Sequence, residues 1–288
     1  MTHQTPRTDD AAFAAMASGV SGKRRRPWLA ALLSLMATGV GQLYNGQWRK
    51  GACFLAGEVV LALALIPALR TFAGLVLAGG VLATYNIAAA VDAYRCARRG
   101  GYVPTRFNRW WAYALAVGIS AAAGAGVEGA LKAQFYQNFK VPSVSMQPAL
   151  RVGDRFLAAR LRPDSPIGRG QVVVFIEPGG GRHFVKRVVG LPGETVRVEG
   201  REVVVNGQRL DEPYARHTGG STPHLADGGP LRLGPDQYFL MGDNRDKSYD
   251  SRWLGPVPRE RIMARALYVY YPGPSGAGWA SRFGETVR

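Results

Sequence analysis

The chain has 288 residues, room for one large domain or two modest ones, with 47% hydrophobic residues and a formal net charge of +16 at pH 7. So basic a protein invites comparison with nucleic-acid binders, but no basic helix or aromatic–basic stripe runs through it, and that class is set aside. The two cysteines, Cys53 and Cys96, suit neither a disulfide framework nor a zinc site.

The two halves are unlike. Residues 1–131 are dominated by Ala, Leu, Val and Gly and carry 13 Lys/Arg against 5 Asp/Glu; residues 132–288 carry 23 against 15, so each half contributes +8. In the first half the positive charges gather between apolar segments, at Lys23 to Arg26, at Arg49 and Lys50, and from Arg95 to Arg109. Membrane proteins mark cytoplasmic loops in this way.

Residues 1–27 read as a polar, basic tail with neither an apolar leader core nor a cleavage signal. Four apolar stretches follow, at 28–44, 51–69, 72–93 and 110–131. A helix needs about 20 apolar residues to cross a bilayer, which the last three supply or nearly supply. The first is short and ends in Gly39-Val-Gly-Gln42. Placing every basic cluster inside requires the first stretch to enter and leave by one face, followed by three spans. Four spans with an external basic N-terminus would break the charge rule, so the re-entrant or interfacial reading is preferred. In the last stretch Ala114, Gly118, Ala122, Gly126 and Ala130 form a small-residue stripe that predicts close packing with another helix. Glu58 and Glu128 lie within apolar stretches, where a neutral carboxyl bonded between helices is a better reading than catalysis.

Residues 132–288 read as a β-rich domain. Strands are expected at 172–176, 183–189, 195–198, 203–205, 237–241 and 266–271, separated by turns such as Leu191-Pro-Gly193 and Asn206-Gly207. Residues 214–230, rich in Gly, Ser, Thr, Pro and His, read as a loop insertion.

Three segments carry chemistry. In Val141-Pro-Ser-Val-Ser-Met-Gln-Pro148 two serines are bracketed by prolines that stiffen the chain and deter a helix, as a nucleophile's setting requires. In His183-Phe-Val-Lys-Arg-Val-Val189 strand alternation points Phe184, Lys186 and Val188 to one face and Arg187 to the other. Burial among apolar neighbours would lower the Lys186 pKa and fit it to act as a general base. On that segment alone, a lysine snorkelling at a strand edge is the better reading. His183 faces away from Lys186, and His3, His217 and His224 sit in the tail and the loop insertion. No Gly-x-Ser-x-Gly elbow is present. The third segment, Met241-Gly-Asp-Asn-Arg-Asp-Lys-Ser-Tyr-Asp-Ser-Arg252, alternates charges densely. Asp243, Asp246 and Asp250 could suit calcium, but the spacing is not that of an EF-hand and arginines occupy the cation's place, so internal ion pairing is expected and no metal.

Together these three segments resemble the bacterial type I signal peptidases, and the resemblance spans most of residues 140–258. Departures from the family pattern fall at Ala149, Gln171 and Lys247, where Thr, Asp and Asn are usual. The resemblance implies a multi-span α-helical membrane anchor followed by a mainly β catalytic domain, with no cofactor. It implies Ser145 as nucleophile and Lys186 as general base, with the Ser143 hydroxyl and the Ser145 backbone N–H as oxyanion donors. It further implies that Ser248 hydrogen-bonds and orients Lys186, and that Asp243, Arg245, Asp250 and Arg252 hold the scaffold. The expected substrates are exported preproteins, cut after small A-x-A-like residues at the outer face of the bacterial cytoplasmic membrane. Membrane lipid and the protein translocation machinery are the expected partners, and nucleic acid is not. Only 13 residues separate Leu131 from Ser145, at most ~45 Å of chain, which keeps the nucleophile near the bilayer. Two other functions share features: a specialised Ser–Lys protease maturing one secreted or conjugation factor, and a non-catalytic membrane scaffold with an inert β domain.

Overall fold

The computed structural model describes residues 25–100, 107–219, 229–274 and 279–287. The tail up to residue 24 and the centre of the 214–230 insertion lie outside the described residues. The chain divides into two units, one comprising residues 1–66 and 77–128 and the other residues 67–76 and 129–288.

The first unit is helical. The 28–44 stretch does not form one helix but two, α1 (Pro27–Met36) and α2 (Val40–Tyr44). The break falls at Gly39, whose φ of +91° suits only glycine and whose missing side chain leaves room for the Gly51 carbonyl. At 10 residues α1 is ~15 Å long, half a bilayer core. Three helices are long and apolar enough to cross a membrane: Trp48–Arg70 (α3, Trp48–Ala64, with a 3₁₀ turn), α4 (Phe72–Arg99) and α5 (Trp110–Gln134).

Polar side chains lock the short helices to α4. Buried Gln42 accepts from the Ser34 hydroxyl (3.1 Å) and donates to the Ala89 carbonyl (2.8 Å) and to Asp92 (3.2 Å). Asn45 donates to the Ala93 carbonyl (2.7 Å), and Lys50 pairs with Asp92 at 2.6 Å. The expectation for the α5 stripe is not met within the chain. All five small residues are exposed, and a Cβ built on Gly118 or Gly126 would meet nothing within 4 Å. Glu58 is half-buried and Glu128 exposed.

The second unit is built on two antiparallel sheets. The larger has seven strands in the order β1-β2-β11-β3-β4-β9-β10, and the smaller has four, β7-β6-β5-β8. The strands expected from the sequence are present as β3 (Val172–Ile176), β4 (His183–Gly190), β5 (Thr195–Glu199), β6 (Glu202–Val205), β9 (Gln237–Met241) and β11 (Ile262–Tyr271). The structure adds β1 (Tyr136–Lys140), β2 (Arg155–Arg160) and the two-residue strands β7 (Gln208–Arg209), β8 (Leu231–Arg232) and β10 (Val257–Pro258). Asn206 (φ 51°) and Gly207 (φ 81°) make the left-handed pair that a two-residue hairpin needs, joining β6 to β7.

Two features of the large sheet place the site. Phe156, Val172, Val174 and Ala264 pack with Met146 and Leu150 in one core cluster, which fixes the loop after β1 against the sheet. On β4, pairing with β3 covers Arg187 back to His183, whereas pairing with β9 begins only at Arg187. Among the described residues no strand pairs with the segment from His183 to Lys186 on the β9 side.

Candidate active site

Chain stiffness places Ser145. After β1 the backbone continues extended through Pro142 and Ser143, then closes a single 3₁₀ turn over Val144–Met146. Met146, 1% exposed, drives that turn into the core, and its carbonyl accepts from Leu150 N–H at 2.8 Å. The expectation that the prolines deter a helix fits, since the turn is one residue either side of Ser145. Asn244 clamps the same turn: its backbone N–H donates to the Ser145 carbonyl (3.1 Å) and its side-chain amide to the Val144 carbonyl (3.3 Å).

Lys186 reaches this turn from β4. It lies opposite Val173 in the β3–β4 ladder, is 5% exposed, and its Nζ donates to Ser145 Oγ at 2.9 Å. The Phe184 ring centroid is 5.6 Å from Nζ. Burial dominates the ammonium's environment and lowers its pKa from the ordinary lysine value to about 8; Asp250 and Asp243 oppose the shift and Arg252 adds to it. Ser143 Oγ lies 3.2 Å from Ser145 Oγ. No histidine among the described residues hydrogen-bonds Ser145; His183 is exposed at the cleft wall, and His217 lies 3.5 Å from Asp246.

The polar loop after β9 supports the site, but not as a self-contained network. Only Asp250 and Arg252 pair within it, at 2.8 Å through two oxygens, and Arg252 also donates to the Arg245 carbonyl. Asp243 instead forms a fully buried two-bond pair with Arg187 (2.7 and 2.6 Å), and Arg245 forms a partly buried two-bond pair with Glu212 (2.7 and 2.6 Å). Burial pushes the Asp243 carboxyl pKa up, with Arg187 pulling against it. Arg187 and Lys186 thus leave β4 by opposite faces, one toward the ion pair and the other toward Ser145, and both are buried. Among the described residues no group of acids, histidines and cysteines is placed to hold a metal.

Ser248 departs from expectation. Its hydroxyl is buried with no hydrogen-bond partner and does not bond Lys186. It packs against Gly242, where a Cβ would come within 2.2 Å of Ser248 Oγ and 2.6 Å of the Ser145 carbonyl oxygen. The ordered Lys186 contact goes to Ser145 instead. Sequence reasoning missed Gly242 and Asn244 as neighbours of the nucleophile turn, and Arg187 and Glu212 as ion-pair partners. An arginine sharing its strand face with Val185 and Val189 is the one signal that could have found Arg187, since burial there needs a carboxylate partner.

Ser145 and Lys186 open into a cleft of about 560 Å³ walled by Phe139, Val141, Pro142, Met146, Phe184, Val185 and Tyr249. A larger cleft of about 950 Å³, between residues 160–163 and 234–237, contains neither. The arrangement provides a hydroxyl, a buried amine hydrogen-bonded to it, a second hydroxyl beside it, and an apolar wall along the strand edge.

Residues 110–271 match the family model described as signal peptidase, peptidase S26. The chain is 40% identical over 144 residues to a probable signal peptidase I-2 of Synechocystis sp., covering 46% of this chain and 62% of that protein, less than two thirds of its length. It is 32% identical over 149 residues to signal peptidase I of Bacillus licheniformis, covering 49% and 80%. A crystal structure of a signal peptidase I from Enterococcus faecalis V583 is 27% identical and covers 35% of this chain and 96% of that one; its TM-score of 0.30 is too low to bear on the fold. The chain belongs to the signal peptidase family, peptidase S26.

Proposed function

We propose that this family member is a membrane-bound signal peptidase I that removes N-terminal signal peptides from exported preproteins by a Ser145–Lys186 dyad. The observation that carries the reading is the 2.9 Å hydrogen bond from the buried Lys186 amine to the Ser145 hydroxyl. Neutral Lys186 takes the Ser145 proton as Oγ attacks the scissile carbonyl. The resulting oxyanion is met by the Ser145 backbone N–H and the Ser143 hydroxyl. The ammonium then protonates the leaving amine, and the regenerated amine activates water to release the acyl-enzyme. Ser248 packs against Gly242 beside the nucleophile turn. Asp243, Arg245, Asp250 and Arg252 keep the loop that carries Gly242 and Asn244 against the nucleophile turn.

The edge of β4 from His183 to Lys186 suits a peptide bound in extended form, and the apolar cleft suits small residues near the cut. Residues 28–131 serve as the anchor and 132–288 as the catalytic domain on the outer face of the cytoplasmic membrane, beside the translocation machinery. The test is to incubate the detergent-solubilised full chain with a preprotein and read the product's new N-terminus by mass spectrometry. A single cut after an A-x-A-like site supports the proposal; no cut, or cuts scattered through the mature region, would sink it.

A further inference from the structure

A groove on the helical unit has the composition of a lipid site. It lies between α1 and α4, has a volume of about 420 Å³, and is walled by Ala31, Leu35, Ile87, Val91 and Tyr94, with Arg95 and Arg98 at one end. Ile87, Val91, Tyr94 and Arg98 follow each other at four-, three- and four-residue steps, and Arg95 lies four beyond Val91 and three before Arg98, so the five share one face of α4. That face is exposed along its whole length. An apolar trough ending in cations matches an amphiphile with an apolar chain and an anionic head.

The direction of α1 adds to the positive end. Ala30 and Ala93 both close on Gly41, and Ser34 and Ala89 both close on Gln42, so α1 runs antiparallel to α4. Its N-terminus therefore lies at the Arg95–Arg98 end. Arg26 stands at that N-terminus, which has no side-chain cap. The dipole of α1 places further positive potential there. Asp92, the acid in the same stretch of α4, is taken up by Lys50 at 2.6 Å and by Gln42. Among the described residues neither Arg95 nor Arg98 has an ion-pair partner.

We propose that this groove binds an anionic phospholipid, with an acyl chain along Leu35, Ile87 and Val91 and the phosphate between Arg95 and Arg98. Basic pockets between membrane helices on the cytoplasmic side recognise such headgroups. The inference rests on the reading of these helices as membrane-embedded and is independent of the catalytic assignment. Neutral zwitterionic lipids would fill the trough but gain little from the arginines.

The test uses the full chain in detergent, titrated with phosphatidylglycerol or phosphatidylcholine, with bound lipid counted by native mass spectrometry. Wild type should favour phosphatidylglycerol by roughly 30-fold, the combined effect expected of two arginines at a membrane surface. The Arg95→Gln/Arg98→Gln variant should bind both lipids alike. Leu35→Trp, which fills the trough and leaves both arginines, should weaken phosphatidylglycerol binding as well. Equal binding of the two lipids by wild type would overturn the proposal. So would a double-glutamine variant that keeps the preference, or a Leu35→Trp variant that binds as wild type does. No substrate enters the assay, so loss of the peptidase reading would leave its outcome intact.

Discussion

Replacing Lys186 with Met should abolish cleavage and at the same time stabilise the fold at neutral pH. The amine is 5% exposed, and its pKa falls from the ordinary value of 10.5 to about 8. A shift of that size is ~3 kcal/mol of preference for the neutral form over the charged one. Below pH 8 the lysine is charged in both folded and unfolded chains, and folding carries the full penalty. Between 8 and 10.5 the unfolded chain still holds the proton that the folded chain has released, so wild-type stability climbs with pH. Above 10.5 the penalty is gone. Methionine fills much of the same volume without the charge, at the cost of the Ser145 hydrogen bond, about 1 kcal/mol. The net gain at pH 7 is ~2 kcal/mol, or about 4–8 °C in Tm for a unit of this size. Thermal unfolding of wild type and Lys186→Met in detergent, followed by tryptophan fluorescence from pH 6 to 10, measures it. The gap should be flat to about pH 8 and close above it. A variant less stable than wild type at pH 7, or a gap indifferent to pH across the range, would refute the reasoning.

Three further outcomes follow from the site. The cleavage rate should rise about tenfold per pH step below 7 and level off above about 8 to 9, because only neutral Lys186 accepts the proton; a plateau reached by pH 6, read from initial rates on a preprotein, would point to a different base. Ser143→Ala should lower kcat by ~10²–10³ with little change in KM, since its hydroxyl contributes only once charge develops on the substrate oxygen; an unchanged kcat removes it from the oxyanion site. Asp243→Asn leaves the Arg187 guanidinium buried without its carboxylate and should cost ~3–5 kcal/mol, visible as a lower Tm; a loss below 1 kcal/mol would show that the pair contributes little.

Much of this architecture was legible because local chemistry dictated it. The β3, β4 and β9 runs are rich in β-branched and aromatic residues, and Asn206-Gly207 admits few conformations other than a tight hairpin. β1 and β2 were not legible. Tyr136-Gln-Asn-Phe-Lys140 and Arg155-Phe-Leu-Ala-Ala-Arg160 have weak strand preference and become strands through pairing with each other and with β11. The 28–44 stretch showed its weakness as a span in its length and glycines, but Gln42 buried against Ala89 is a tertiary outcome no periodicity announces. At the site, the segments bearing Ser145 and Lys186 could be named, and the structure brings the two side chains to hydrogen-bonding distance. The ion pairs could not be assigned, because Arg187 and Glu212 meet Asp243 and Arg245 only after the sheets form. Ser248 was expected on Lys186 and lies against Gly242 instead, a difference decided by side-chain direction within one loop.

The central claim is that Ser145 attacks and Lys186 takes its proton. The most direct measurement is cleavage of one preprotein by wild type, Ser145→Ala and Lys186→Ala, each purified in detergent and shown folded by its thermal transition. The account predicts a single cut by wild type and none by either variant, with both transitions intact. Cleavage by Lys186→Ala near the wild-type rate would contradict it, leaving the lysine a structural neighbour of a serine activated by another group.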